Sequence, residues 1–328
     1  MQTDSRQNTK EYMPLPQGVG TNLFACCNGR YMDIHRDILA GCSARVGALT
    51  ISAEYAETLR KIRISTLKLL DMLIIAFNEK GRHGAEIALP ISEYMRLCGK
   101  TNDNVSRKNA RRVIKEDLFT LSGLSLKWSE KSRKSGAVTS YAAHIGRGTI
   151  SGGDIRFSFT GDFAEYLRGA YVMQYPLALL SMDSRNAGAY HIGRKLALNA
   201  GIDANILKRK ADCLGIPSLL SVCPNIPKYE RIRAENRHFT DRIKEPLENA
   251  LDSLVSAGVL ASWEYCRAGK QPLLESEIEV AEYATFQRLY IHYEMRNAPD
   301  QSARIKRNIA KKKRAERKAE HYKHFKRR

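Results

Sequence analysis

Apolar residues recur at helical spacing from Ile64 onward, whereas residues 1–55 show no sustained periodicity. That leader mixes Gly, Asn, Pro and Thr, a composition that predicts an irregular arm. Beyond it the pattern predicts a helix from Ile64, a short helix over residues 91–100 and a longer third helix over residues 104–121. The apolar positions that define the first and third helices are Leu67, Leu70, Ile74, Phe77, Ala110, Val113, Ile114, Leu118 and Leu121.

A hairpin is predicted directly after the third helix. LSLKWSEK alternates like a strand, RKSG supplies a basic turn, and AVTSYAAHIG returns. IRFSF then reads as a strand and DFAEYLRG as a short closing helix. Three helices and a hairpin predict a winged-helix domain over residues 56–170, with the third helix in the major groove of DNA and the hairpin on the flanking backbone.

Residues 171–296 repeat this plan. NAGAYHIGRKLALNA, SLLSVC and FTDRIKEPLENALDSLVSAG are the three helices of the second copy, and Pro246 marks a first-turn position or a kink. GLSLKW and GVLASW correspond, which places Trp128 and Trp263 at equivalent points. The predicted fold class is therefore mainly α with small β-hairpins (α+β), as two tandem winged-helix domains plus a basic C-terminal tail.

The positive charge of the chain indicates an anionic partner. The 328 residues carry a formal net charge of +19, and 13 Lys or Arg against 2 Glu lie between Gln301 and Arg328. We expect residues 297–328 to form a disordered or loosely helical tail that neutralises DNA phosphates without reading sequence. A solubilising tail with no specific partner is the alternative.

The third helix carries the candidate DNA contacts. Arg can pair bidentately with guanine and Asn with adenine, while Lys and Ser position a protein on phosphates. A solvated helix face is the alternative, but we expect no acidic partner on this side of the helix. Candidates for base contacts are Arg107, Asn109, Arg111 and Arg112, and candidates for positioning or backbone contacts are Ser106, Lys108, Lys115, Lys127, Lys131, Arg133 and Lys134.

In the second copy the cations precede the core of the third helix, where acidic residues follow. This order predicts DNA contact through the entry loop and the first turn. The candidates are Lys228, Arg231, Arg233, Arg237, Arg242 and Lys244, and the acidic residues are Glu245, Glu248 and Asp252.

Other classes of function find little support in the sequence. The seven cysteines include no CxxC pair, and the spacing of Cys26, Cys27, His35 and Cys42 is irregular for zinc, so we expect no metal and no cofactor. No catalytic signature is complete, which predicts a protein without enzymatic activity. No apolar run is long enough to span a membrane and no signal peptide is evident, so we expect a cytoplasmic, DNA-associated bacterial protein.

The two units, together with YPLALLSMDSRNAGAYHIGRKLALN and DRIKEPLENALDSLVSAGVLASWEY, resemble the replication initiators (Rep proteins) of plasmids and mobile elements over residues 56–296. The resemblance implies binding of origin repeats in double-stranded DNA, a monomer–dimer equilibrium, opening of adjacent DNA, and recruitment of host helicase and initiator proteins. A winged-helix transcriptional or partition regulator, an RNA-binding protein, and an enzyme such as a relaxase or primase are the alternatives.

Overall fold

A computed structural model describes residues 11–17, 34–37, 41–46, 49–80, 84, 86–131, 138–201, 212–223, 225–235, 238–274, 277–278 and 282–297. The basic tail lies outside these residues, except for the single position 297.

The leader contains strands, so the prediction of an irregular arm is wrong for its described part. The backbone forms β1 (Tyr12–Gln17), β2 (Ile34–Asp37), β3 (Gly41–Val46) and β4 (Leu49–Ala53), followed by the short helix α1 (Ala56–Arg60). Alternate β4 side chains are buried, as expected for a strand with one face on a core. The strand β4 pairs with β3 and with β6, and the paired residues of β4 and β6 are about 75 positions apart in the chain. Local periodicity therefore could not reveal this sheet.

The three predicted helices are confirmed, with one strand between the first two. They are α2 (Ile64–Glu79), β5 (Glu86–Pro90), α3 (Ile91–Leu97) and α4 (Asn104–Ser122). The apolar side of α4 is buried as predicted, through Ala110, Ile114, Leu118 and Leu121. Burial of this stripe leaves the opposite side of α4 to solvent.

Two hairpins follow α4, and they belong to different sheets. The elements are β6 (Ser125–Lys131), β7 (Val138–His144), β8 (Gly146–Ser151), β9 (Asp154–Phe159), α5 (Gly161–Gly169), β10 (Tyr171–Pro176) and α6 (Ala178–Ser181). The predicted hairpin β6–β7 completes a five-stranded sheet in the order β2–β3–β4–β6–β7. The second hairpin joins a three-stranded sheet in the order β5–β9–β8, which packs on the helices.

The second half of the chain has a similar order of helices and strands, with one additional short helix and a π-helical turn. It comprises α7 (Ala187–Ala200), β11 (Cys213–Gly215), α8 (Ile216–Leu220), α9 (Tyr229–Ala234), a π-helical turn (Thr240–Lys244), α10 (Glu245–Ser256), β12 (Leu260–Arg267), β13 (Gln271–Pro272), α11 (Tyr283–Phe286) and β14 (Tyr290–Met295). Pro246 lies in the first turn of α10, as predicted. The order β11–β14–β12 matches β5–β9–β8, with a strand after the first helix pairing to the last strand in both halves.

This topology corrects the predicted equivalence of Trp128 and Trp263. Trp128 lies on β6, which pairs with β4 and β7, whereas Trp263 lies on β12, which pairs with β14. In sheet order β12 corresponds to β8. The hairpin β6–β7 is therefore an addition to the first half, inserted between its third helix and its three-stranded sheet.

A buried polar joint fastens the two halves together. The Asp71 carboxylate on α2 accepts hydrogen bonds from Arg194 on α7, with Nε at 3.0 Å and Nη2 at 2.9 Å, and from the Tyr190 hydroxyl at 2.7 Å. Nearby, the Lys68 ammonium donates to the carbonyl oxygen of Met182. Because burial disfavours its charged form, the pKa of Lys68 is lowered to about 8.

Candidate nucleic-acid interface

The helix α4 begins at a well-formed cap. The Asp103 carboxylate accepts from the Ser106 backbone N–H at 2.8 Å and from the Ser106 hydroxyl at 2.7 Å, which satisfies donors at the helix N-terminus. These hydrogen bonds, led by the backbone N–H of Ser106, hold the pKa of Asp103 below its usual range. The Ser106 hydroxyl thus has a structural partner inside the cap.

Two of the predicted cations on α4 point into solvent without a partner among the described residues. Lys108 and Lys115 are both exposed, and neither side chain forms a hydrogen bond or ion pair there. They are seven residues apart, so they lie on one side of the helix with Arg112 between them. Flexible ammonium groups in this setting are suited to neutralising phosphates.

The three arginines of α4 are held by contacts within the protein. Arg107 Nε donates to the side-chain oxygen of Asn102 at 2.8 Å, and Arg111 Nη2 donates to the backbone oxygen of Gly152 at 2.8 Å. Arg112 Nη1 pairs with Glu116 Oε1 at 3.0 Å. All three are nevertheless exposed, as is Asn109 between them on the same helix. The guanidinium groups are therefore oriented before any ligand arrives.

Glu116 corrects the expectation that this side of α4 has no acidic partner. Its carboxylate also pairs with Arg63 Nη1 at 2.9 Å, and these two arginines lower the pKa of Glu116, Arg63 through the stronger hydrogen bond. Arg63 reaches further, to the buried Asp117 at 2.9 Å, which also accepts from Thr66 at 2.6 Å. An ordered chain of charges thus connects Arg112 to the start of α2.

The predicted contacts beyond α4 that the structure describes lie on β6. Lys127 is exposed on β6, in the five-stranded sheet, and Lys131 ends the same strand. Arg133 and Lys134 lie outside the described residues. The sequence placed these four beside α4 because a hairpin follows it directly, but β6 pairs with β4 in a different sheet.

The second half presents its cations mainly before its third helix. Lys228, Arg231, Arg233 and Arg242 are exposed, and Arg231 Nε pairs with Glu235 at 2.9 Å. Arg237 lies outside the described residues.

Lys244 departs from this group, because it is only 9% exposed and its Nζ donates to the backbone oxygen of Ile278 at 3.0 Å. Its ammonium is committed to the interior, where the carbonyl satisfies it. We therefore leave Lys244 out of the candidate interface.

Along α10 itself the exposed side is acidic or neutral. Glu245, Asn249 and Asp252 follow Arg242 on that side, and Asp252 Oδ1 accepts from Trp263 Nε1 at 2.8 Å. Carboxylates repel a phosphate backbone, so this helix is less suited than α4 to lie along a groove. The restriction of DNA contact to the entry loop and first turn stays a prediction.

Sequence reasoning missed the hairpin β8–β9. Arg147 and Arg156 are exposed on its outer side, and its turn contains the Gly152 that Arg111 contacts. The available signal was the pair Gly152–Gly153 between two alternating segments, which is a strong hairpin turn signature.

Among the residues that the structure describes, no group of three or more His, Cys, Asp or Glu side chains is arranged to hold a metal ion. No helix in the same residues has the length and apolar character needed to cross a membrane.

Comparison with known proteins bears on the first half of the chain. Residues 48–181 match the family model described as "Initiator Replication protein, WH1". No curated protein sequence matches the chain.

Two solved structures of RctB show a distant likeness. A selenomethionine derivative of RctB domains 2 and 3 is 11% identical with a TM-score of 0.40, over 71% of this chain and 86% of that chain. A second structure of RctB domains 2–3 is 11% identical with a TM-score of 0.34, over 65% and 76% of the two chains. At these scores the likeness establishes neither fold nor function.

The segment that matches the family model contains the helices α2, α3 and α4 and all three strands of the sheet β5–β9–β8. The resemblance to replication initiators that the sequence predicts is thus confirmed by the match of residues 48–181 to the model of an initiator WH1 domain.

Proposed function

We propose that the protein is a sequence-specific DNA-binding initiator of plasmid or mobile-element replication, which binds repeated origin sequences and recruits host replication machinery. The observation that carries the proposal is the exposed cationic side of α4, on the third helix of a domain that matches an initiator family. The protein would act by binding, without a catalytic step of its own.

The repeated topology supports two DNA-binding units. In both halves, a helix and a strand come first, and further helices precede the remaining strands, two in the first half and three in the second. Three strands of each half share one sheet order, β5–β9–β8 and β11–β14–β12. We infer tandem winged-helix domains, each with its third helix as the element that approaches DNA. The first reads sequence with α4, and the second contributes contacts from the segment that precedes α10.

The two kinds of cation on α4 suggest two roles. Lys108 and Lys115 are mobile point charges that suit phosphate oxygens, whereas Arg112 is a planar donor held in place by Glu116. A held guanidinium loses less conformational entropy when it forms a bidentate contact with guanine. Arg107 and Asn109 are the other proposed base contacts.

The buried joint supports a fixed arrangement of the two units. Asp71 and Arg194 are 1% and 2% exposed, so the contact between α2 and α7 excludes water. A rigid pair of units would require origin half-sites at a constant spacing. Host helicase, host initiator proteins and a second copy of the chain are proposed partners of the DNA-bound form.

DNase footprinting on DNA from the gene's own neighbourhood tests the proposal. We expect protection of repeated sites of equal length that persists with excess random duplex and with competitor RNA. A plasmid that carries the same fragment and encodes the protein should also replicate. Protection confined to a promoter, with no replication of the plasmid, would favour a transcriptional regulator. Loss of protection with competitor RNA, but not with random duplex, would contradict the proposal.

A further inference from the structure

The outer side of α10 carries a stripe of polar and acidic side chains. Four exposed residues follow one another at steps of four, three and four, which places them on one side of the helix. They are Glu245, Asn249, Asp252 and Ser256. In the described part of the chain neither carboxylate forms an ion pair, and Asp252 accepts a hydrogen bond from the neutral Trp263 Nε1 at 2.8 Å. The third helix of the second unit therefore presents negative charge that no cation compensates.

An open groove lies beside the C-terminal half of this stripe. Its volume is about 510 Å³, and α10 forms one wall through Asp252 and Ser256. The segment between α6 and α7 forms the other wall, with Asp183 and the helix-capping residue Asn186. Asp183 pairs with Arg185 at 2.6 Å, but the arginine side chain is 92% exposed, so solvent screens the pair. The groove is polar and acidic, which suits a cationic ligand.

The described chain ends beside this groove. The helix α10 ends at a glycine cap, in which Gly258 has a φ of +73° and the Val259 N–H donates to the Leu254 carbonyl oxygen at 2.9 Å. The preceding residue Ala257 lines the groove. Arg296 lies against the cap, since a Cβ added to Gly258 would be 3.3 Å from its Nη1. A guanidinium thus already lies at the end of α10 where the helix dipole is negative.

The basic tail can reach the whole stripe from this point. Asn297 is anchored, because its Nδ2 donates to Glu11 Oε1 at 3.3 Å. From Ala257 back to Glu245 the helix rises about 18 Å, at about 1.5 Å per residue. The stretch from Asn297 to Arg304 can span about 23 Å when extended. Arg304 is the first cation of the tail, and the other Lys and Arg residues of the tail follow it.

We propose that the tail, residues 298–328, docks on the acidic side of α10 when DNA is absent and moves to DNA phosphates when DNA binds. Its ammonium and guanidinium groups pair with Glu245 and Asp252 and enter the groove beside Asp183. The docked tail is withheld from random duplex, so docking lowers non-specific affinity. The inference rests on the proposed function, because bound DNA supplies the competing anion.

Charge and tethering favour this occupant over others. A single exposed ion pair contributes little, but a tethered segment has an effective concentration in the millimolar range, so several weak pairs suffice. DNA itself is repelled by the carboxylates of α10. The tail of a second copy carries the same charges, but it lacks the tether and must compete with the chain's own tail.

Carbodiimide cross-linking of the full-length protein tests the contact without DNA. The reagent joins a lysine ammonium to a carboxylate that it touches, and peptide mass spectrometry identifies the pair. We expect links from Lys306 or from residues 311–313 to Glu245 or Asp252, and we expect high salt to abolish them. A mixture of unlabelled and isotope-labelled protein separates links within a chain from links between chains. Links from the tail mainly to other carboxylates, links between chains, or no links from the tail would overturn the inference.

The affinity for random duplex tests the consequence of docking. Glu245→Gln with Asp252→Asn should raise the affinity of the full-length protein by about fivefold, because each lost ion pair releases the tail by a factor of about two. Asp162→Asn with Glu165→Gln removes two exposed carboxylates from α5 and serves as the matched control. We expect the control to change the affinity by less than about twofold.

A second background separates release of the tail from direct repulsion of DNA. All Lys and Arg residues between Arg304 and Arg314 are replaced by Gln in the full-length chain. In this background the gain from Glu245→Gln with Asp252→Asn should shrink to within about twofold, because fewer cations remain to be released. An equal gain in both backgrounds would show that the carboxylates repel DNA directly, and no gain in either would show that no tail is withheld. Each result would overturn the inference.

Failure of the proposed function gives a different result. If the protein gives no footprint on any duplex while the tail still links to α10, the proposed function fails and the docked tail stands. If the protein gives a footprint and the tail forms no links to α10, the docking fails alone. Thermal melting of each variant checks that the substitutions leave the fold intact.

Discussion

Breaking the joint between the two halves should cost more stability than any exposed ion pair. Asp71→Asn keeps the size of the side chain and removes its charge, so the guanidinium of Arg194 stays buried beside a neutral amide. Both groups are almost fully buried, at 1% and 2% exposure. Removing one partner of such a pair costs about 3 to 5 kcal/mol, because the other charge remains without compensation.

Two controls separate the loss of stability at the buried pair from the general effect of removing a charge. Glu93 and Arg96 form an exposed pair on α3 at 2.6 Å, and Glu93→Gln should cost less than about 1 kcal/mol. Replacing both buried partners, as Asp71→Leu with Arg194→Met, should cost much less than the sum of the single changes. The orphaned Tyr190 hydroxyl should account for part of what remains, roughly 1 to 3 kcal/mol.

Urea denaturation followed by far-ultraviolet circular dichroism measures these values. We expect Asp71→Asn to lower the free energy of unfolding by the predicted amount and to separate the unfolding of the two halves into two transitions. Matched-site DNA affinity should fall as well, because the half-site spacing is no longer fixed. A loss from Asp71→Asn as small as that from Glu93→Gln would refute the reasoning.

Three further predictions concern single side chains. Glu116→Gln releases Arg112 and removes a negative charge near the DNA, so competition binding should show higher affinity for random duplex and a smaller ratio of specific to random binding; a larger ratio would contradict the role of Glu116. The pKa of Lys68 is about 8 in the folded protein and 10.5 for the exposed group. Above pH 8 the folded state therefore binds fewer protons than the unfolded state, and the free energy of unfolding should rise with pH. In urea titrations, the difference in the free energy of unfolding between wild type and Lys68→Met should therefore increase by about 2 kcal/mol from pH 7 to pH 9.5. An unchanged difference would show that Lys68 is not desolvated. Asp103→Ala removes the cap of α4 and should cost about 1 kcal/mol in the same titrations, with Asp103→Asn close to wild type; equal losses from both would point to the charge instead.

The helices were accessible to sequence analysis because their signal is local. The apolar positions from Ile64 to Leu121 repeat at helical spacing, and the structure buries them on α2 and α4. The cations of α4 were found for the same reason, since the buried stripe fixes which side chains remain outside.

The sheets were not accessible in this way because strand partners are distant in sequence. The alternation of LSLKWSEK correctly indicated a strand, but nothing local shows that β6 pairs with β4 whereas β5 pairs with β9. The hairpin predicted after the third helix therefore lies in a different sheet from β5, β8 and β9. The same limit hid the strands of the leader, because β4 pairs with β6 and β1 pairs with β10.

Individual side-chain partners were also beyond the sequence. Lys244 resembled its exposed neighbours in composition, yet the π-helical turn directs it inward to the carbonyl of Ile278. Arg111 and Arg112 are adjacent and chemically identical, but one reaches a turn 41 residues away and the other an acid on the same helix. Those partners are the reason why Arg112, and not Arg111, is proposed to read a base.

The central claim is that α4 reads DNA sequence through the guanidinium of Arg112. Fluorescence anisotropy with the protected repeat and with a scrambled duplex, at matched salt, tests it most directly. Arg112→Ala should weaken binding of the repeat by about 1 to 3 kcal/mol and leave binding of the scrambled duplex within about threefold. Equal weakening of both duplexes would show that Arg112 contributes only charge, and α4 would then not be the reader.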